Sequence, residues 1–217
     1  MSGPGVAAPR VVVLDYGAAN MVSITRALAA AGADVGVADE PAGIAGARAL
    51  VVPGVGAAGA AMAQLRDRRL VEPLREWVRA GRPCLGICLG FQIMFERSSE
   101  GEAETVGLLR GETVELRDAP TLPHIGWNSV QFERRHPLFA GVPNGSYFYF
   151  NHTYAPVPAD QEVVLARTEH GATFVSAVGK GNLYGVQFHP EKSFDLGLRV
   201  LRNFVGLVAA DAAGAAA

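Results

Sequence analysis

Short apolar runs alternate with helical patterns through the first half of the chain, and this alternation constrains the fold more than any other feature. The runs that predict short buried strands are Val11–Leu14, Asp34–Val37, Ala49–Val52 and Leu85–Ile87. The patterns that predict helices are about Met21–Ala31, Gly59–Leu65, Leu70–Ala80 and Leu89–Arg97. Strands that alternate with helices predict an α/β fold with a mostly parallel, doubly wound central sheet flanked by helices.

The second half of the chain has more strand-like segments, separated by Gly, Asn and Pro turns. These segments are Glu112–Leu116, Ser129–Phe132, Ser146–Phe150, Val163–Ala166, Phe174–Val178 and Leu183–Phe188. They predict extra antiparallel strands, closed by a C-terminal helix from about residue 196 to 208. We therefore expect one domain over residues 11–208, between flexible tails at residues 1–10 and 209–217.

The composition suits a soluble protein with a sizeable core, since 49% of the residues are hydrophobic and 18% are charged. The net charge of -2 predicts neither nucleic-acid binding nor adhesion to an acidic membrane surface. Two cysteines, Cys84 and Cys88, are too few for a disulfide framework. Residues 1–10 lack the basic flank and long apolar run of a secretory signal, so we expect a cytoplasmic protein.

The segment Gly86-Ile87-Cys88-Leu89-Gly90 carries the most chemical information. An apolar strand leads into it and a helical pattern follows, which predicts the cysteine version of a nucleophile elbow. The flanking glycines permit a sharp turn. Cys88 would lie beside a helix N-terminus, where the dipole favours the thiolate, and the Leu89 N–H could bind an oxyanion. The alternative interpretation, a buried structural thiol, suits Cys84 better.

A thiolate nucleophile needs an acid/base partner, and His189 in His189-Pro190-Glu191 is the best placed of the five histidines. It follows an apolar strand, and Pro190 favours an extended backbone at His189. Residues two apart in an extended segment point the same way, so Glu191 could hold the second imidazole N–H. The alternative is an ordinary histidine in a strand-end turn with a surface glutamate.

The loop from Gly54 to Gly59 matches the dinucleotide fingerprint Gly-x-Gly-x-x-Gly, but the context is wrong. It follows a later strand, Pro53 precedes it, and the nearest acidic residue at the expected distance, Glu76, lies in a helical pattern. We interpret the loop instead as a backbone strip that lines a small-molecule site and offers N–H groups to an oxyanion.

Together the elbow and the late His-Pro-Glu resemble the class I, or triad, glutamine amidotransferases, over about nine-tenths of the chain. Four stretches are similar to one branch of that family, the glutaminase subunits of imidazole glycerol phosphate synthases. They are Asp15-Tyr16-Gly17-Ala18-Ala19-Asn20, Pro53-Gly54-Val55-Gly56, Pro123-His124-Ile125-Gly126-Trp127-Asn128 and Tyr149-Phe150-Asn151-His152-Thr153-Tyr154.

The resemblance implies a role for each matching residue. Cys88 would attack the carboxamide of glutamine, His189 would transfer the proton and Glu191 would orient His189. The strip beside the oxyanion would be Gly54, Val55 and Gly56, and the residues that hold glutamine would be Gln92, His152, Thr153 and Tyr154. The residues at or near a partner interface would be Asn20, Pro123, His124, Trp127 and Asn128. A core aromatic is the alternative for Trp127, and a plain loop residue is the alternative for His152.

The resemblance also implies a heterodimer with a (β/α)8-barrel cyclase subunit, which would use the ammonia to make imidazole glycerol phosphate and an aminoimidazole carboxamide ribotide. It implies no cofactor and no metal. Three alternatives stay open from the sequence. The chain could serve another synthase, of the anthranilate or vitamin B6 type; it could be a non-catalytic regulatory module of the same fold; or it could be a stand-alone thiol hydrolase.

Overall fold

The computed structural model of the chain describes residues 8–214, and for residues 212–214 it describes the backbone alone. Residues 1–7 and 215–217, which belong to the two predicted tails, lie outside the described residues. The main helices are α1 (Met21–Ala30), α2 (Ala58–Asp67), α3 (Val71–Arg79), α4 (Leu89–Gln92) and α5 (Phe194–Gly214).

The strands, in chain order, are β1 (Arg10–Leu14), β2 (Asp34–Ala38), β3 (Ala49–Gly54), β4 (Cys84–Cys88), β5 (Arg97–Ser98), β6 (Ala103–Glu104), β7 (Gly111–Glu115), β8 (His124–Phe132), β9 (Ser146–His152), β10 (Tyr154–Pro158), β11 (Val164–His170), β12 (Ala172–Lys180) and β13 (Leu183–Val186).

The central sheet has nine strands in the order β2-β1-β3-β4-β13-β12-β11-β8-β9. The first five are parallel to one another, and the last four continue the sheet with antiparallel pairing. A second sheet of four strands has the order β10-β7-β5-β6. The predicted fold class, a parallel sheet extended by antiparallel strands, is confirmed.

Both faces of the parallel part are covered, as expected from strands that are apolar at every position. Val11 and Val13 belong to the core cluster on the side of α1 and α5, which contribute Ile24 and Phe204. Val12 and Leu14 point the other way and belong to the cluster on the side of α2 and α3. The alternation of side chains along each strand therefore supplies two cores from one apolar run.

The helix predicted over Leu89–Arg97 is wrong beyond its first turn, because α4 ends at Gln92. The carbonyl groups of residues 93–95 accept hydrogen bonds from the N–H groups of residues 106–108 instead of from a continuing helix. Phe91, Phe95 and their apolar neighbours are buried on all sides, so their spacing carried no reliable helical period.

The C-terminal helix is longer than predicted. Residues 209–214 were expected to be part of a flexible tail, but α5 continues through them to Gly214. Alanine has the highest helix propensity, and this alanine-rich stretch has no residue that would stop a helix before Gly214. Within residues 8–214, none of the helices combines the length and the apolar character that a membrane crossing would need.

Candidate active site

The predicted site residues follow neighbouring parallel strands, at the point where each strand ends. Gly54 pairs with Cys88 at the ends of β3 and β4, and Val186 of β13 pairs with Ile87 of β4. His189 comes three residues after Val186, and Cys88 comes one residue after Ile87. The topology therefore brings the sulfur and the imidazole to the same edge of the sheet, which is the edge at which open α/β sheets bind ligands.

The turn at Cys88 has the strained backbone of a nucleophile elbow. Its φ is 54° and its ψ is −113°, a conformation that a residue with a side chain rarely adopts. A Cβ on Gly90 would overlap the carbonyl of Val52, and a Cβ on Gly86 would lie 2.8 Å from the carbonyl oxygen of Gly90. Both flanking glycines are therefore required by the close approach of neighbouring backbone, as the Gly-x-Cys-x-Gly spacing predicts.

His189 and Glu191 form a buried pair, with 2.8 Å between Nδ1 of the imidazole and Oε1 of the carboxylate. Their side chains are only 3% and 7% exposed, so the contact is shielded from water. Pro190 begins a short 3-10 turn that runs to Lys192 and directs the carboxylate back toward the ring. Since the carboxylate accepts from Nδ1–H, Nε2 is the nitrogen that is available for proton transfer.

The backbone of His189 is held by Tyr149 and Ser193. The His189 N–H donates to the Tyr149 carbonyl over 2.9 Å. The Ser193 hydroxyl donates to the His189 carbonyl over 2.7 Å and accepts from the Tyr149 N–H over 3.0 Å. These three bonds hold the backbone of His189 against β9, and so fix the point from which the imidazole projects.

The electrostatics of the pair favour a positively charged His189 when Cys88 is ionised. Burial lowers the pKa of His189, but the nearby Cys88 sulfur and the hydrogen-bonded carboxylate of Glu191 outweigh burial and raise the pKa above its usual value. Nε2 of His189 makes no hydrogen bond of good geometry to any described residue. The Cys88 thiol instead lies 3.6 Å from the Asn151 carbonyl oxygen, so it is not hydrogen-bonded to the imidazole in this conformation.

A cleft of about 180 Å³ opens beside the Cys88 sulfur. It is lined by Val55, Gly56, Cys88, Leu89, Gln92, Glu100, Pro123, Asn151, His152, Thr153 and Tyr154. The predicted substrate-binding residues Gln92, His152, Thr153 and Tyr154 all line it. A larger cleft, of about 730 Å³, lies beside Arg134 and His136 and contains none of the three predicted catalytic residues.

His152 is held in one tautomer within the wall of the cleft. Its Nδ1 lies 2.9 Å from the Tyr154 carbonyl oxygen, which can only accept, so Nδ1 carries the proton. Its Nε2 lies 3.0 Å from Nδ1 of His124, which must then donate. Burial lowers the pKa of His152 to about 3 and that of His124 to about 4, so both rings are neutral at pH 7. The loop alternative for His152 is wrong, because it ends strand β9 and is buried.

The hydrogen-bond network continues from His124 to Asn128. The Asn128 amide nitrogen lies 3.3 Å from Nε2 of His124 and donates to the Glu169 carbonyl over 2.8 Å. The Asn128 Oδ1 accepts from the Ser129 N–H over 2.8 Å. His124 is the first residue of β8 and is buried behind His152 of the cleft wall, so it does not present its ring to a partner, although it belongs to a segment predicted to be near the interface.

One predicted oxyanion donor is occupied in this conformation. The Val55 N–H donates to the Ala18 carbonyl over 2.6 Å and so points away from the Cys88 sulfur. Gly56, with a φ of 97°, follows it in the left-handed region and gives this strip its freedom to rotate. Leu89 occupies the first helical position of α4, where an N–H has no acceptor within the helix. Leu89 therefore remains the better oxyanion donor.

The predicted interface residues near β8 border an exposed apolar surface. The Trp127 ring is 44% exposed and stacks on Phe194 with 5.2 Å between the ring centroids. Phe194 is 81% exposed. Ile125 is exposed two residues before Trp127 in β8, and Val22 is exposed in α1. The core alternative for Trp127 is wrong. Asn20 and Pro123 are also exposed, and the Asn20 side chain caps α1 by accepting from the Ser23 N–H.

Three residues at the site were missed in the sequence. Gln187 lies two residues before His189 and contacts the Cys88 sulfur, and its only signal was a polar residue in an apolar run. Glu100 lines the cleft and accepts from the Ala58 N–H over 2.7 Å, but nothing local distinguishes it from neighbouring Glu102. Ser193 lies two residues after the His-Pro-Glu motif, and its hydrogen bonds to His189 and Tyr149 depend on the position of β9.

Cys84 has the structural role expected of it. Both thiols are free, and Cys84 is fully buried within β4. Burial raises the pKa of the Cys84 thiol to about 12, so it stays protonated at physiological pH. Among residues 8–214 there is no cluster of three or more His, Cys, Asp or Glu side chains that could hold a metal ion.

A doubly wound sheet with a cysteine elbow and a carboxylate-bound histidine at its carboxyl edge defines the class of triad amidotransferases. The model of the family described as glutamine amidotransferase class-I matches residues 12–207. The chain belongs to this family.

Curated relatives match almost the whole chain. Imidazole glycerol phosphate synthase subunit HisH of Symbiobacterium thermophilum is 48% identical over 92% of this chain and 94% of its own. The protein of the same name from Moorella thermoacetica is 46% identical over 91% and 95%. Among solved structures, PurLQS from Thermotoga maritima aligns with a TM-score of 0.73 at 20% identity, over 92% of this chain and 99% of its own, which shows a common fold.

Proposed function

We propose that this protein hydrolyses glutamine to glutamate and delivers the ammonia to a partner, as the glutaminase subunit of an imidazole glycerol phosphate synthase in histidine biosynthesis. The observation that carries the proposal is the buried 2.8 Å contact between His189 and Glu191 on the strand end next to Cys88. The relatives that match more than nine-tenths of the chain bear the name of that synthase subunit.

In the first half of the reaction, the Cys88 thiolate attacks the carbon of the glutamine carboxamide. The carbonyl oxygen becomes an oxyanion, which the Leu89 N–H would bind. His189 gives its Nε2 proton to the nitrogen, the C–N bond breaks, and ammonia leaves a glutamyl thioester on the sulfur. Glu191 keeps the Nδ1 proton in place throughout, so that Nε2 is the nitrogen that gains and loses a proton.

In the second half, a water molecule attacks the thioester. His189 is neutral after the first step and takes a proton from this water, which then forms a bond to the thioester carbon. The C–S bond breaks, glutamate leaves, and Cys88 returns as a thiolate beside a protonated imidazole. The two halves need one base that is used twice, which fits a single buried histidine with a fixed tautomer.

Substrate recognition is proposed for the polar groups of the cleft. The side-chain NH₂ group of Gln92 donates to the Tyr154 carbonyl and to the Gln187 side chain, which leaves Oε1 of Gln92 as the atom that glutamine would contact. Glu100 places a carboxylate in the cleft, which suits the ammonium group of an amino acid. His152, with its fixed neutral ring, shapes the wall between Thr153 and the sulfur.

The exposed surface around Trp127 and Phe194 is proposed as the docking site of the synthase partner. Large aromatic side chains that are exposed in the free subunit typically become buried anchors of an interface. We propose that the partner is the (β/α)8-barrel cyclase subunit that the family resemblance implies. A barrel of that kind needs about 250 residues, which the domain over residues 11–208 does not itself supply.

Docking of the partner is also proposed to complete the oxyanion site. The Val55 N–H can reach the sulfur side only after it leaves the Ala18 carbonyl, and residue 18 lies in the loop that leads to the exposed Asn20. Contact with that loop would weaken the bond and free the N–H. We therefore expect slow glutamine hydrolysis by the isolated subunit and faster hydrolysis in the complex.

The proposal is tested by replacing each cysteine in the complex with its partner. Cys88→Ala should abolish synthesis that depends on glutamine and leave synthesis from added ammonium salt intact, because only the ammonia source is lost. Cys84→Ala is the matched control, since it removes a buried thiol from the same strand and should leave both activities. Loss of both activities in the Cys88 variant, or retention of both, would contradict the assigned role.

The pathway is tested separately by complementation. The gene should restore growth of a bacterium that lacks its own glutaminase subunit for histidine synthesis on medium with little ammonium. Rescue of a mutant defective in anthranilate or vitamin B6 synthesis instead would point to another synthase. The cytoplasmic location, the absence of a cofactor and the single-domain boundaries at residues 11 and 208 stay predictions.

A further inference from the structure

Gln187 is a fully buried polar residue that the triad chemistry does not use. It follows β13 directly, and its backbone N–H donates to the Ser176 carbonyl over 2.9 Å. Its side-chain nitrogen lies 3.7 Å from the Cys88 sulfur, and its side-chain oxygen lies 3.2 Å from the amide nitrogen of Gln92. A buried amide with one end on a nucleophilic sulfur is a candidate for a role in catalysis.

The orientation of the Gln187 amide is determined by the Tyr154 carbonyl group, to which it is linked through the side chain of Gln92. The Tyr154 carbonyl oxygen can only accept, and it lies 2.7 Å from the Gln92 side-chain nitrogen. Gln92 therefore points its NH₂ group toward Tyr154, and the same nitrogen must donate to Gln187. It follows that Gln187 directs its oxygen toward Gln92 and its NH₂ group toward the sulfur.

The Tyr154 carbonyl is itself saturated, which makes this polarity hard to reverse. It accepts from Gln92 and from Nδ1 of His152, and so uses both of its lone pairs. Reversing the Gln92 amide would set two oxygens against each other at 2.7 Å in a buried site. The cost of such an unpaired buried group exceeds the strength of an ordinary hydrogen bond.

We propose that Gln187 is a further catalytic residue, whose amide N–H donates to the Cys88 sulfur and favours the thiolate, and that Gln92 is a positioning residue that holds this amide in its single orientation. The proposal rests on the proposed function, because it concerns the sulfur that attacks glutamine. A donor to the sulfur is stronger when the sulfur is charged, so the contact stabilises the thiolate relative to the thiol.

The contact matters because another neighbour of the sulfur acts in the opposite sense. The Asn151 carbonyl oxygen, 3.6 Å away, accepts from the thiol but would repel a thiolate. The ionisable groups around the sulfur are His189, whose charged form favours the thiolate, and Tyr16, which burial keeps neutral. Glu100, His152 and Tyr154 line the same cleft, and burial keeps the His152 ring neutral. Gln187 is thus the neutral donor that offsets the carbonyl without adding charge to the site.

The test measures the rate of Cys88 alkylation by iodoacetamide as a function of pH, in the full-length protein. All variants carry Cys84→Ala, so Cys88 is the one remaining thiol of the two in the sequence. Gln187→Met removes the N–H and keeps the length of the side chain. Gln187→Glu keeps the shape and places an oxygen, which is negative when ionised, against the sulfur. Ser176→Ala is the control, because it removes a buried polar group from neighbouring β12 without touching Cys88.

We expect alkylation of Gln187→Met at pH 7 to be slower by roughly tenfold, as expected for a lost hydrogen bond to a charged acceptor. Gln187→Glu should be slower still. Both rates should approach that of the parent protein at high pH, where the thiolate forms in every variant. Ser176→Ala should follow the parent throughout. A general distortion of the site would lower the rate at every pH and would not converge.

An unchanged pH profile in both Gln187 variants would overturn the proposal. So would a loss of rate that is the same at all pH values. If Gln187→Met does not fold, Gln187→Glu alone decides, since its side chain has the native shape. Alkylation needs no glutamine, so these outcomes are independent of the cysteine exchange that tests the proposed function. If Cys88→Ala keeps glutamine-dependent synthesis, the proposed function fails whatever the alkylation profile shows.

Discussion

Replacing Gly90 by alanine should damage both stability and activity, because the added methyl group has no room. A Cβ at Gly90 would overlap the Val52 carbonyl and approach the Pro53 carbonyl carbon at 3.3 Å. Both obstacles are backbone atoms of the central strand β3, which cannot rotate away as a side chain can. The elbow must therefore move, and the Cys88 sulfur moves with it.

The size of the effect follows from the kind of clash. Overpacking in a well-packed core usually costs about 1–3 kcal/mol. A clash with central backbone belongs at the upper end, so we expect a loss of ~3 kcal/mol in the free energy of unfolding. For a domain of this length that corresponds to a fall in Tm of roughly 6–12 °C. Glutamine hydrolysis should fall by about 10²-fold, the usual cost of a nucleophile displaced by about 1 Å.

Gly59→Ala is the matched control, because a Cβ there would meet nothing within 4 Å. Gly59 lies in α2, where alanine is the better helix former, so Tm should rise slightly or stay unchanged. Thermal unfolding by calorimetry and release of glutamate would be measured for both variants. A Gly90→Ala protein with the Tm and the activity of the parent would refute the view that backbone contact requires this glycine.

Three further outcomes are expected. Glu191→Gln should lower glutamate release by at least about 10²-fold, since an amide lacks the charge that stabilises the protonated imidazole and can turn its NH₂ group to Nδ1, which changes the tautomer; a rate near that of the parent would contradict the triad. The unfolding free energy should fall between pH 7 and 5, and His152 should contribute about 2 kcal/mol of that fall, because its pKa is lowered to about 3 in the fold and the unfolded chain takes up the proton below pH 6.5. In urea titrations His152→Gln should reduce the slope, and His124, whose pKa is lowered to about 4, should maintain the rest. Trp127→Ala should weaken partner binding by roughly 30-fold in calorimetric titration, as for an interface anchor. Val37→Ala is the control and should not weaken binding, because Val37 is an exposed residue on β2, at the other edge of the sheet. If both variants bind the partner with the same affinity, the interface does not include Trp127.

Segments with a clear local pattern were predicted with the right type and nearly the right ends. The strand at Val11–Leu14 begins one residue earlier, at Arg10, and the helix at about Met21–Ala31 ends at Ala30. The helix predicted over Leu89–Arg97 was wrong beyond Gln92 because its apolar residues are buried on all sides. Beyond Gln92 the buried residues obey no helical period, and their carbonyls bond to residues 106–108. Short strands such as β5 and β6 have too few residues to carry any period.

The chemistry of the candidate site divides in the same way. The sequence by itself determined the elbow, because two glycines around Cys88 permit one kind of turn, and the His189–Glu191 pair, because residues two apart in an extended segment share a face. These relations involve neighbours along the chain. Their geometry depends on backbone conformations that local residues dictate.

Only the tertiary structure decided which groups surround that pair. Gln92 and Gln187 are 95 residues apart, and His124 and His152 are 28 apart. They meet because of the order of the strands and the register of β8 against β9, which no local spacing encodes. The direction of the Val55 N–H and the polarity of the amide facing Cys88 follow from the same long-range packing. A hydrogen bond between distant segments is set by the position of both, and the fold alone determines that.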